Sequence, residues 1–92
     1  MLIRTQDKNG LVNLDRIELL TTSGGKDITA YFAHFAGMQS QTLGVYSSEK
    51  KAIKVLNQIQ QHYEIYERAK YYPDELAVFP VFEMPQDTEV KA

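Results

Sequence analysis

Between the serine pair Ser47-Ser48 and Pro73 the chain reads EKKAIKVLNQIQQHYEIYERAKYY, without a glycine or a proline. Such a stretch leaves the backbone little choice but helix. Ser47 or Ser48 serves as the N-cap, its hydroxyl accepting from an otherwise unpaired amide of the first turn. Pro73 stops the helix, because the residue before a proline avoids the α region. With Ala52 set at zero and about 100° per residue, Val55, Leu56, Ile59, Tyr63 and Tyr66 all fall within about 60° of it. They form one core-facing stripe. Lys50, Lys54, Gln61 and Glu64 occupy the opposite, solvent side. A helix from Ser48 to Tyr71 is about 35 Å long, whereas a five-residue strand covers about 17 Å. Its distal end is therefore expected to overhang a small sheet.

The rest of the chain must supply strands for that stripe. Leu2 to Gln6 alternates apolar and polar residues, and Asp7-Lys8-Asn9-Gly10 is turn chemistry, with Gly10 free to take positive φ. Leu11 to Leu14 returns as the second strand of a hairpin. Asp15-Arg16 is read as a bend or bulge, after which Ile17 to Thr21 continues extended. The segment from Thr22 to Asp27 is a connecting loop. Its Gly25-Lys26 pair is followed by Asp27 and a strand pattern, whereas a phosphate-binding loop would open a helix. Ile28 to Ala36 is apolar on both faces and is expected to be a central strand. Gly37 to Gln41 is read as a turn and Thr42 to Tyr46 as the returning strand, with a bulge or close backbone approach at Gly44. Glu75 to Met84 is a last strand, kept at an edge by Pro80.

These elements predict an α+β fold: an antiparallel sheet of four or five strands packed against one long C-terminal helix, followed by a short edge strand. Ninety-two residues make one domain, 1–92, with 85–92 expected to be a loose tail. The net charge of −2 argues against a DNA or RNA surface, which needs clustered Lys and Arg. With no cysteine in the chain, disulfides, thiolate nucleophiles and thiolate metal sites are excluded together. No apolar leader is read in MLIRTQDKNG, and no apolar run approaches the ~20 residues of a membrane helix. A cytoplasmic protein is the expectation.

No motif with catalytic or cofactor-binding spacing is present. His34 sits in an apolar strand and His62 on the helix flank, neither with a metal-ligand partner at HExxH-type spacing. Asp74-Glu75 and Asp87-Glu89 read as solvated charge. The expectation is no enzyme, no cofactor and no metal. What stands out is the end of the helix, where four of the six tyrosines fall between positions 63 and 72. Tyr63, Tyr66, Arg68, Lys70, Tyr71 and Tyr72 are the candidate ligand-binding residues. Tyrosine faces suit a nucleobase, and Arg68 and Lys70 suit its phosphates. Tyr71, Tyr72 and Ile65 lie off the core stripe and suggest a homo-oligomer interface, where aromatic residues are enriched.

The segments IRTQDKNGLVNLD (Ile3 to Asp15), LGVYSSEKKAIKVLNQI (Leu43 to Ile59) and FEMPQDTEV (Phe82 to Val90) resemble a group of short phage and prophage proteins of Gram-positive bacteria. In size, order of elements and aromatic-basic helix end the chain is also similar to phage anti-defence proteins of the Thoeris type. Those are oligomeric sponges that bind cyclic nucleotide-type immune signals without cleaving them. The resemblance implies a non-enzymatic anti-defence protein acting in the bacterial cytoplasm, with a small nucleotide signal as its ligand. An alternative is an inhibitor or accessory protein that binds a host protein through the same surface.

Overall fold

The computed structural model describes residues 1–22, 25–34, 37–71 and 81–91, the side chains of 33, 34, 37 and 38 excepted. Among the described residues the strands are β1 (Leu2–Arg4), β2 (Leu11–Asn13), β3 (Ile17–Thr21), β4 (Asp27–His34), β5 (Gly37–Val45) and β6 (Val81–Glu83), and the α-helix is α1 (Glu49–Tyr71). The fold is α+β, but its details differ from the sequence expectation. The strands form two three-stranded sheets, ordered β2-β1-β6 and β3-β4-β5. The helix lies in the middle of the element order, not at its C-terminal end.

The first hairpin forms where its turn residues place it, with Ile3 opposite Val12. Asp7 accepts from the Thr5 hydroxyl (2.6 Å) and the Asn9 amide (2.9 Å). These two donors hold its carboxyl below the ordinary carboxylate value. The residue with positive φ is Lys8, at 66°, rather than Gly10. After β2 a short 3-10 turn, Leu14–Arg16, makes the expected bend, with the Asn13 side chain accepting from the Asp15 amide. β6 is an edge strand as expected, but it pairs with β1 in parallel, so that sheet is mixed. The expected strand start at Glu75 lies outside the described residues.

β4 and β5 pair antiparallel from Asp27↔Val45 to His34↔Gly37. Gly37 to Gln41, expected as a turn, is therefore strand. The register shifts between Ile28 and Thr29, opposite Gly44 and Thr42, so the expected bulge is present. Gly44 also has the expected close approach: a Cβ there would lie 3.1 Å from Met84 Cε and from the Tyr46 hydroxyl.

Ser48 caps the helix, its Oγ accepting from the Lys51 amide at 3.2 Å. Ala52, Val55 and Ile59 of α1 are buried, in one core with Ile3 and Val12 of the first sheet and Ile28, Ala30 and Leu43 of the second. The two sheets are joined through Gln6. Its amide nitrogen and carbonyl pair with the backbone of Val45 at 3.0 and 2.8 Å, as a neighbouring strand would. Its own backbone N–H donates to Leu43 O at 2.9 Å.

The segment after β6, expected as a loose tail, is instead packed. Val90 is 4% exposed. Gln86 Nε2 donates to Gln6 O (2.7 Å) and the Tyr46 hydroxyl to Pro85 O (2.9 Å). Asp87 accepts from the Ser47 amide at 2.7 Å, and its carbonyl accepts from Lys51 Nζ at 3.0 Å. The tail thus closes over the N-terminal end of α1, and its Asp87 carboxylate faces the positive end of the helix dipole.

Candidate functional site

A register fault in β3 builds the principal groove. Ile17 pairs with Phe32 and Leu19 with Tyr31, so Glu18 is an extra residue on the β3 side. In an unbroken strand Ile17 and Leu20 would point to opposite faces. The extra residue resets the alternation. Ile17 and Leu20 both line the groove, and Leu19 is left 52% exposed. Across from them stand Leu56, Ile59, Gln60 and Tyr63, spaced as one face of α1. Leu14 and Asp15 of the 3-10 turn complete the wall, and the cavity measures about 600 Å³.

The floor is apolar, and the polar groups sit at the rim. Asp15 has a side chain 58% exposed, with the Met1 amine 3.8 Å away. Gln60 Nε2 donates one hydrogen to Glu64 at 3.3 Å, which leaves its second N–H as a donor and its carbonyl oxygen as an acceptor. The Tyr63 hydroxyl is hydrogen-bonded to Glu67; that bond and the carboxylate's charge push its pKa up, with a further contribution from Asp15.

Beyond Tyr63, along the same face, lies a charged cluster. Glu67 receives Lys70 Nζ at 3.0 Å, and that Nζ stands 4.9 Å from the centre of the Tyr66 ring. The pairing lowers the Glu67 carboxyl, chiefly through Lys70, and raises the Lys70 amine, chiefly through Glu67. All of these groups are at the surface, so the pairing orders side chains more than it stabilises the fold.

Tyr63, Tyr66 and Lys70, expected as ligand contacts, are thus brought onto one face. Arg68 is not. By helical rotation it lies about 140° from Tyr63, on the other side of α1. Tyr71, 78% exposed, is turned about 80° from Tyr63. Tyr72 lies outside the described residues. Residues that the sequence reading passed over are Asp15, Ile17, Leu20, Gln60 and Glu67. Tyr63, Glu67 and Lys70 have i, i+4 and i, i+3 spacing, which is a legible signal. The β3 half of the groove depends on the bulge, which has no comparable sequence mark.

His62 packs edge-on against Phe82 of β6, with ring centroids 5.4 Å apart. The His34 side chain lies outside the described set. Among the described residues no group of three or more His, Cys, Asp or Glu is placed to hold a metal ion. None of the described helices is long and apolar enough to cross a membrane. No protein family model, curated protein or solved structure matches the chain.

Proposed function

We propose that this chain is a non-enzymatic binding protein that sequesters a small nucleotide-type ligand in the groove between β3 and α1. The observation that carries this reading is the groove's make-up: an apolar floor, one exposed tyrosine ring and polar groups at the rim. Its volume of about 600 Å³ is within the range of small-molecule sites. The titratable side chains lining it are Asp15 and Tyr63. The described lining includes no Ser, Thr, Cys, Lys or His, the usual nucleophiles and bases of covalent catalysis. Such a lining suits capture better than turnover. A base lying against Tyr63 would place its phosphate further along the same helix face, toward Lys70, about 10 Å on.

Binding without cleavage is the role of the phage anti-defence sponges that the chain resembles in layout, and we assign it that role. We also assign self-association to the outer side of α1, where Ile65 and Tyr71 are 43% and 78% exposed. A host protein docked on Ile65 and Tyr71 is the second reading.

Isothermal titration against cyclic nucleotides and ADP-ribose derivatives tests the first. Heat should appear with the wild type and fall with Tyr63→Ala, and the ligand should be recovered intact. Absence of heat across the panel ends the nucleotide reading. Light scattering tests the assembly: a strict monomer at micromolar concentration ends the homo-oligomer.

A further inference from the structure

A second cavity, of about 290 Å³, lies where the first turn meets the tail. The turn side carries two cations, Arg4 and Lys8, and the tail side two carboxylates, Glu83 and Glu89. The two sides are tied to each other: the Met84 amide donates to Arg4 O at 3.1 Å, and Gln86 Nε2 to Gln6 O at 2.7 Å. Arg4 and Glu83 are in register across β1 and β6, so their side chains leave the same face of that sheet. Opposite charges on neighbouring strands are within pairing reach. Here they stay apart. Among the described residues, none of these four groups takes part in an ion pair. Arg4 Nη1 turns instead to Lys8 O at 3.2 Å, and Glu89 Oε1 accepts from the Gln86 amide at 2.9 Å.

The cavity thus holds separated charges of both signs. A lone anion would face Glu83 and Glu89, and a lone cation Arg4 and Lys8. A ligand that brings one charge of each sign close together meets a partner for both. We infer that this cavity binds a free α-amino acid as its zwitterion, with the carboxylate on Arg4 and Lys8 and the ammonium on Glu83. The Arg4 guanidinium keeps further N–H groups beyond the one given to Lys8 O, enough to receive a carboxylate. In a peptide the two charges stand at opposite ends, so the arrangement favours the free amino acid. The cavity has less than half the volume of the groove between β3 and α1 and shares no lining residue with it. The inference therefore stands independently of the nucleotide reading.

The test is titration calorimetry of the full chain with each of the common L-amino acids at neutral pH. At least one should bind. Blocking either charge of that amino acid, by N-acetylation or by amidation of its carboxyl, should weaken it about tenfold or more. Arg4→Gln and Glu83→Gln should each weaken it as far, with a thermal melt reporting that the variants are folded. Tyr63→Ala, in the groove, should leave it unchanged. Should either charge variant unfold, the blocked ligands on the wild type still decide. Binding of no amino acid overturns the inference. Equal binding of the N-acetyl or the amide form overturns it also, since the cavity would then be reading a single charge. Loss of amino-acid binding in Tyr63→Ala overturns it by placing the ligand in the groove.

Discussion

The two ends of α1 are finished in different ways. At Ser48 the first turn is capped, the tail crosses it, and Asp87, Gln86, Gln6 and Tyr46 tie three parts of the chain together. Around Tyr63 the helix face is left open. Its apolar residues are only partly covered, its charged residues pair with one another along the helix, and its acceptors face solvent. The first end is built of partners far apart in sequence, the second of neighbours within one helix. On the binding reading proposed above, the open groove is where a ligand would be buried in place of the protein's own chain.

The largest blow to the closed end should come from its core. Ile28 is fully buried, and it sits opposite Gly44 at the bulge. Ile28→Ala should cost about 2–5 kcal/mol in denaturant unfolding. Leu56→Ala should cost less, because Leu56 is only partly buried against that core and lines the groove. Equal costs would mean that the groove floor is as tightly packed as the core, and the contrast between the two ends would fail.

Tyr46 makes the same contrast through pH. Burial, with Asp87 and Glu89 nearby, pushes its phenol up to about 12 from an ordinary 10.0. A raised folded-state value means the stability is fully present below pH 10 and is lost as the pH rises toward 12. The loss should be on the order of 2 kcal/mol, read from unfolding midpoints across that window. Tyr46→Phe should flatten the dependence. Tyr63 is also raised, but at the surface, so Tyr63→Phe should leave the alkaline loss nearly unchanged.

These differences track what the sequence made legible. The helix, its serine cap and the Asp7–Gly10 turn depend on residues within a few positions of one another, and pattern alone placed them. Gly44 was legible because a glycine inside a strand has few other uses. β5 was harder. Its first half, Gly37 to Gln41, is glycine and polar residues with little apolar alternation, and only the long ladder with β4 makes it strand. That longer ladder also weakens the expected overhang of α1. Strands of 8 and 9 residues reach about 26–30 Å, close to the length of the helix. The packing of the tail is hidden for a related reason. Gln86 and Asp87 look like solvent residues until their partners, Gln6 and Ser47, are brought to them from 80 and 40 positions away. In the candidate site the density of tyrosines marks the helix face that carries Tyr63 and Tyr66. It also swept in Arg68, which density along the chain cannot separate from Lys70 but rotation about the helix does.

Gln6 is the next smaller effect. It is a half-buried side chain that completes the edge of β5 as a strand would, with one donor and one acceptor on Val45. Gln6→Ala should cost about 1–2 kcal/mol. Gln6→Glu is the sharper variant. A carboxylate can still accept from the Val45 amide but cannot donate to the Val45 carbonyl, so near-neutral pH should destabilise it and mild acid should recover part of the loss. A pH-independent effect would mean that packing of the side chain, and not its paired hydrogen bonds, joins the two sheets.

The smallest expected effect on stability is at the open end, and it separates scaffold from site. Tyr63 is 37% exposed, and its hydroxyl bonds to a surface carboxylate, so Tyr63→Ala removes little packing. Its unfolding midpoint should stay within about 0.5–1 kcal/mol of wild type. On the nucleotide reading, ligand binding in the groove should nevertheless be lost, because that reading gives the Tyr63 ring the contact with the base. Tyr66→Ala supplies the counterpart. Tyr66 packs against the core and also carries Lys70 on its face, so its loss should lower stability more than that of Tyr63 and affinity less. If the two tyrosines exchange those roles, the working surface lies further along α1, at Tyr66 and Lys70, and not in the groove against β3.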